Sequence, residues 1–482
     1  MTEHHYDLVI IGAGLSGVGV ACHFTTTFPG KKYLVLESRK NLGGTWDLFK
    51  YPGIRSDSDM YTLGYSFRPW KERKAIADGT DIWNYIDSTA EEYGVKQNIR
   101  FESSVLEVKW DSALRTWEII FIDPVGTKKA VNSQFLYSCS GYYSYHEAYL
   151  PDFKNLDRYK GVFVHPQFWP DSLEYENRKI IVIGSGATAV TLVPKLAEKA
   201  KRVTMLQRSP TYIVSRPSTD KNAKFLEKYF SEKLAYRLAR WKNILASLIF
   251  YSVSRRWPGF VKRKLLELTQ RFVGSAIDVD KHLTPVYKPW DQRVCLVPNG
   301  DLFKCLKAGR ATIVTEHINE FTSKGILLQS GEELEADVVI SATGLKMIPF
   351  GGIKMFVDEE QINFSQTTQY KGVMLSGIPN FFVASGYTNA SWTLKCDLTS
   401  QYFCRLVNYC LKKGHKVCVP KDIKNSEKKV MQVGLESGYI LRSIEEFPRE
   451  GLNSPWKLRQ NYFLDLFELK LSRLRNKNIS FS

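Results

Sequence analysis

A chain of 482 residues exceeds one ordinary core, so two or three domains are expected. With 44% hydrophobic and 24% charged residues its composition is that of a globular protein and excludes a disordered one. The formal net charge of +17 suits nucleic acid, an anionic membrane surface or polyanionic cofactors, but no nucleic-acid module accompanies it.

The start, MTEHHYDLVIIGAG, passes from polar residues straight into a buried-strand pattern, with no cleavable leader expected. Tyr6 to Ile11 reads as a strand buried on both faces of a parallel sheet, stopped by Gly12-Ala13-Gly14-Leu15-Ser16-Gly17. A helix to about Phe28 follows, then a strand, Tyr33 to Leu36, ending in Glu37. This is a dinucleotide fingerprint: Gly12 makes the turn, Gly14 admits a pyrophosphate to the helix N-terminus, and Gly17 permits close helix-strand packing. Glu37 is expected to accept hydrogen bonds from ribose hydroxyls.

A strand, Phe135 to Gly141, ends in a small-residue turn, and the segment YKGVFVHPQFWP (Tyr159 to Pro170) then precedes a second nucleotide unit. In that unit Lys179 to Ile183 is the strand, Gly184-Ser185-Gly186-Ala187-Thr188-Ala189 the turn leading through Val190, and Val203 to Leu206 the next strand. It ends in Gln207-Arg208-Ser209 with no acid, which suits the 2′-phosphate of NADP. Two dinucleotides, the second phosphorylated, point to FAD plus NADPH.

Lys221 to Arg271 reads as helical, with Pro258-Gly259 as its breaker, and its basic face is a candidate for contact with anionic lipid. A helical lid over a substrate tunnel is the favoured reading. The longest apolar stretch, Ile244 to Val253, is too short and Ser-interrupted to span a bilayer. A second strand and small-residue turn, Val338 to Gly344, makes the second unit an insertion in the first. The fold class is therefore α/β, two Rossmann-like dinucleotide-binding domains with a helical insertion. Its units are residues 1–142, 143–345 with the helical part at about 216–290, and 346–482. Eight cysteines without a C-x-x-C pair argue against structural zinc, a disulfide framework and a dithiol oxidoreductase, and fit a reducing cytoplasm. No metal site is expected.

Gly161, His165, Trp169 and Pro170 resemble the F-x-G-x-x-x-H-x-x-x-W-P fingerprint of the Baeyer-Villiger monooxygenases, class B flavoproteins, with Tyr159 in place of Phe. Gly43 to Asp57 matches the second motif of that family at every fixed position. Blocks such as IVIGSGATAVTLVP and PWDQRVCLVPNGDLF look like its ethionamide-activating branch. The resemblance implies oxygenation through a flavin C4a-peroxide, with O₂ and a small or medium hydrophobic ketone or sulfide as substrates. It makes Arg293 the arginine that stabilises the anionic peroxide and Asp57 the partner that aims it. Flavin contacts would include Ser16, Thr45, Trp46, Asp47, Leu48 and the Val105 backbone; Arg55 and Ser56 would face NADP, and Tyr387 to Trp392 would line the pocket. Gln292 stands where many members carry lysine, which loosens the expected NADPH preference. An N- or S-oxidising flavin monooxygenase and a non-catalytic flavin-binding redox sensor are the alternatives.

Overall fold

The computed structural model describes residues 5–421, 427–430 and 437–482; the polar start MTEH lies outside them. Two sheets organise the chain. In the first, His5–Ile11 lies parallel between Tyr33–Leu36 and Lys128–Ser138, and its register with the former runs from Leu8 opposite Tyr33 to Ile11 opposite Leu36. The run Leu8 to Ile10 is fully buried, as expected of a strand covered on both faces. Lys128–Ser138 continues antiparallel to Thr116–Ile122, and that strand to Ser104–Asp111. Strands from the far end of the chain complete the sheet: Lys354–Val357 pairs with Ser104–Asp111, and Phe381–Val383 with Lys128–Ser138.

The second sheet is wholly parallel, in the order Ala311–Thr315, Arg202–Gln207, Lys179–Ile183, Val338–Ser341, Val162–Val164. The chain crosses between the sheets twice, and the two crossings pair as an antiparallel ribbon, Tyr143–Ala148 with Leu345–Met347. The segment Tyr159 to Pro170 fastens this ribbon. His165 Nε2 bonds the Gly344 carbonyl at 3.1 Å, and Gln167 Nε2 donates to the Ser144 carbonyl at 2.7 Å. The Tyr159 hydroxyl, an addition relative to Phe, donates to the Ala336 carbonyl at 2.9 Å, so the extra polar group has a partner. Trp169 packs into the core of the second sheet and meets Tyr175 edge-on.

The helical segment leaves and re-enters through a parallel ribbon, Ile213–Arg216 with Cys295–Pro298. It forms three main helices, Lys221–Tyr229, Glu232–Arg256 and Pro258–Val273, and a short one, Val279–His282, with Pro258 at the first turn of the third, where its missing N–H costs nothing. The long helix is fastened to residues 60–65 of the first unit by a buried cation. Arg240 is 5% exposed, and its Nη1 donates to the carbonyls of Tyr61 at 2.8 Å and Gly64 at 2.7 Å, while Asp397 lies 3.9 Å from Nη2. Tyr236 adds a hydroxyl bond to the Tyr65 carbonyl at 2.9 Å.

Removing a buried cation leaves its acceptors and counter-charge without partners, which costs more than the bonds contributed. Arg240→Ala is therefore expected to lower stability by about 3 kcal/mol, seen as a fall of several degrees in the thermal unfolding midpoint of the purified protein. An unchanged midpoint would remove Arg240 as the anchor of the helical segment.

Candidate active site

One cavity of about 880 Å³ runs along the seam between the two sheets. Its lining takes Gly12, Gly14 and Ser16 from the first turn, Glu37 from the next strand end, Gly44, Thr45 and Trp46, then Arg55, Ser56 and Asp57. Val105, Ala187, Thr188 and Arg293 complete the predicted set that reaches it.

The first turn is a site of close backbone approach. A Cβ on Gly17 would lie 1.9 Å from the Gly12 carbonyl oxygen, so only glycine lets the helix Leu15–Thr27 start there. Neither this helix nor Ala187–Leu196, which starts at the second turn, has a side-chain cap or an acid in its first turn. Their first N–H groups thus have no side-chain acceptor, the arrangement that receives phosphate. At Gly186 a Cβ would meet nothing within 4 Å, so the approach is free. Glu37 is buried, and its carboxylate accepts from the Ala13 N–H at 2.7 Å and the Arg39 N–H at 2.9 Å; burial raises its pKa against these bonds. Ser16 Oγ accepts from Trp392 Nε1 at 3.0 Å, which brings the block after Tyr387 over the first turn.

Arg293 and Asp57 form an ion pair on the cavity wall, with the two side chains 37% and 35% exposed. Asp57 comes from the first unit and Arg293 from the segment after the helices, so the pair bridges the seam. The carboxylate holds Arg293 above the ordinary guanidinium value. Tyr142, Tyr143 and Tyr439 face the same cation, and Tyr142 rests on Trp392 with ring centroids 5.1 Å apart. Arg55 pairs with Asp301 at the start of the helix Asp301–Lys307, a second charged link across the seam.

Other predicted residues lie off the cavity. Gly17, Ala189 and Val190 are buried packing positions, and Leu48 belongs to the core of the second sheet. Asp47 turns away to bind Arg39 at 2.7 Å, together with Asn41 and Lys50. Gly184 and Gly186 form the turn beside the cavity, and Ser185 Oγ donates to the Ser209 carbonyl at 3.0 Å, which sets Arg208 and Ser209 on the same rim. Arg208 is exposed, and no ion pair holds it among the described residues. None of the lining residues comes from between Thr191 and Arg293, so the helices expected as a lid do not line this cavity. They pack outward against the first unit through Arg240.

Sequence reasoning missed a buried polar cluster on the cavity. Lys395 lines it and lies 3.3 Å from Asp465, which also accepts from the Tyr387 hydroxyl at 2.7 Å; Gln460 lines it too and holds the Thr388 N–H at 3.1 Å. The available signal was a lysine and an aspartate, Lys395 and Asp397, inside the otherwise uncharged start of the helix Trp392–Lys413.

Two sheets, each with a parallel strand leading into an uncapped glycine turn at one seam, and a charged pair across it, define an oxidoreductase of the two-dinucleotide class. The chain belongs to the flavin-binding monooxygenase-like family, whose model matches residues 7–376. It is 48% identical to the FAD-containing monooxygenase EthA of Mycobacterium tuberculosis over 483 aligned positions, covering 100% of this chain and 98% of that one. Among solved structures it is similar to OTEMO in complex with FAD and NADP, with a TM-score of 0.74, 21% identity and 99% of each chain covered. It is also similar to an oxidized steroid monooxygenase bound to NADP, with a TM-score of 0.72, 21% identity, and 86% and 88% covered.

The ribbon fastening carries a pH dependence. His165 Nδ1 accepts from the Gln167 N–H at 3.2 Å, so the neutral ring carries its hydrogen on Nε2, facing Gly344, and burial lowers its pKa. The folded state then binds fewer protons than the unfolded one, and stability falls as pH drops through the ordinary histidine value of 6.5. Between neutral and mildly acid pH the thermal midpoint of the wild type is expected to drop more than that of His165→Gln. Parallel slopes would show that His165 does not titrate against the fold.

Proposed function

We propose that the chain is an NADPH-dependent FAD monooxygenase of Baeyer-Villiger type, converting a ketone, O₂, NADPH and a proton into an ester, NADP⁺ and water. The observation that carries this reading is the Asp57–Arg293 ion pair on the wall of the cavity lined by the first glycine turn and by Ala187 and Thr188, which follow the second. In the same reading residues 1–142 and 346–482 form the FAD unit and 143–345 the NADPH unit, with the helical insertion at about 216–290. Support comes from the strand membership of the two sheets.

The residues fit both cofactors. The uncapped helix start at Gly14, faced by Gly44, suits the FAD pyrophosphate, and the open turn at Gly186 with Arg208 on its rim suits that of NADPH and its 2′-phosphate. When bound, the flavin takes hydride from NADPH and activates O₂. Arg293 stabilises negative charge on oxygen as a carbonyl is attacked; its planar, permanently charged fork does this without a proton of uncertain position. Asp57 fixes the fork's direction. Tyr142, Tyr143 and Tyr439 stand beside the half-buried cation, so its field is less screened there than at an open surface. The same site oxidises sulfides and thioamides, where the oxygen acts as electrophile and the arginine matters less. A cytoplasmic location with contact at the membrane's inner face completes the proposal; among the described residues no helix is long and apolar enough to cross a membrane.

The test is anaerobic reduction by NADPH followed by mixing with oxygen and a long-chain 2-ketone, with product mass recorded. Ester carrying one added oxygen supports the reading; oxidation of sulfides or amines but never of ketones would move it to the N- or S-oxidising monooxygenases. Arg293→Ala is expected to leave flavin reduction near normal and to cut ester formation by at least about a hundredfold, the loss typical of one missing oxyanion stabiliser. Ester at the normal rate would refute the role. Arg208→Ala is expected to raise KM for NADPH about tenfold, the scale of one lost charge-assisted contact, with KM for NADH little changed; equal losses with both nucleotides would contradict the rim assignment.

A further inference from the structure

The helix Glu232–Arg256 carries an apolar stripe that faces away from the fold. Leu234, Leu238, Trp241, Leu245 and Ile249 recur at steps of four, three, four and four residues and are 38–53% exposed. At 3.6 residues per turn they fall within an arc of about 80°. The opposite side, with Ala235, Tyr236, Ala239, Arg240 and Ile244 buried, is the one docked on the protein.

A second element extends the stripe. Trp241 stacks on Phe463 with centroids 5.9 Å apart and planes at 24°, and Phe463 starts a row with Leu464, Phe467 and Leu471 on Tyr462–Leu466 and the π-turn after it. Phe467 is 65% and Leu471 68% exposed. Large apolar side chains from two elements joined in one patch mark an interaction surface.

The charge around the patch selects its partner. Arg237 on the helix and Lys470, Arg473 and Arg475 on the terminal segment are exposed, and no ion pair holds any of them among the described residues. The acids nearby are occupied: Glu232 pairs with Lys71 at 3.1 Å, Glu468 accepts from Ser454 at 2.7 Å, and Asp465 is buried against Lys395. A second copy of the chain meeting this surface across a two-fold axis would set these cations against one another. An anionic bilayer offers the opposite charge and an acyl boundary for the leucines and aromatics.

We infer that this joint face, Leu234 to Ile249 with Phe463 to Leu471, is a docking surface for anionic lipid. The inference deepens the proposed contact with the membrane's inner face and is independent of the oxygenation chemistry. It assigns the lipid contact to an apolar stripe with a basic border in place of the basic face read from the sequence.

The test uses full-length, flavin-loaded enzyme sedimented with vesicles of phosphatidylcholine alone or with added phosphatidylglycerol. Binding is expected only to the anionic vesicles, and should weaken as salt is raised. The double variant Phe467→Glu, Leu471→Glu changes two of the most exposed positions, so it should keep the wild-type thermal midpoint and NADPH turnover in vesicle-free solution. Its partitioning is expected to fall at least about tenfold. No binding to anionic vesicles, equal binding to neutral ones, or an unaffected double variant would overturn the inference. So would a concentration-dependent dimer abolished by the same variant, which would assign the face to a second copy. Failure of ketone oxidation in solution would touch only the activity, since sedimentation reads the surface alone.

Discussion

The cavity depends on two chain crossings being held side by side. The ribbon of Tyr143–Ala148 with Leu345–Met347 is the covalent link between the sheets; Gln167 bonds the first of its strands at Ser144 and His165 the residue just before the second, Gly344. Such bonds contribute about 1 kcal/mol each in net terms, which is modest, but both are at least partly buried and directional. The charged pair of the site belongs to opposite sides of this seam: Asp57 travels with the first sheet and Arg293 with the second. If the ribbon splayed, the two would separate, and the guanidinium would lose the partner that aims it.

The seam also explains how the positive charge of the chain is divided. Arg55 and Arg293 spend their charge on carboxylates across the seam, Arg240 on backbone carbonyls beneath the long helix, and Lys395 on a buried aspartate at the cavity's far wall. Arg208, by contrast, is exposed and held by no ion pair among the described residues. A high net charge thus has distinct local meanings, and composition alone could not separate them.

Much of the fold was legible because it rests on groups that are missing or uniformly apolar. A glycine where a Cβ would lie 1.9 Å from a carbonyl is visible in the spacing of Gly12, Gly14 and Gly17, and a run such as Leu8 to Ile11 is buried from both faces whatever surrounds it. Asp57, Arg293 and the first turn, named from the motifs, line one cavity, with the second turn beside it. What stayed hidden is set by tertiary partners. Amphipathic periodicity at 221–271 indicates a helix with two faces, yet which face docks is decided by Arg240 finding the carbonyls of Tyr61 and Gly64, far away in sequence. The lid reading failed for that reason. Asp465 and Gln460 were equally invisible, since nothing near them in the chain marks them as neighbours of Tyr387 and Thr388.

The insertion of one sheet within the other has a consequence for synthesis. All five strands of the second sheet lie between Val162 and Ser341, so its hydrogen-bonded ladder can close as soon as that stretch has left the ribosome. The first sheet, begun at His5, still lacks Lys354–Val357 and Phe381–Val383 at that moment. The element translated first is thus among the last to be completed, and the edges of Ser104–Asp111 and Lys128–Ser138 wait unpaired while it is. A nascent chain stalled shortly after residue 341 would present those open edges to any neighbouring strand.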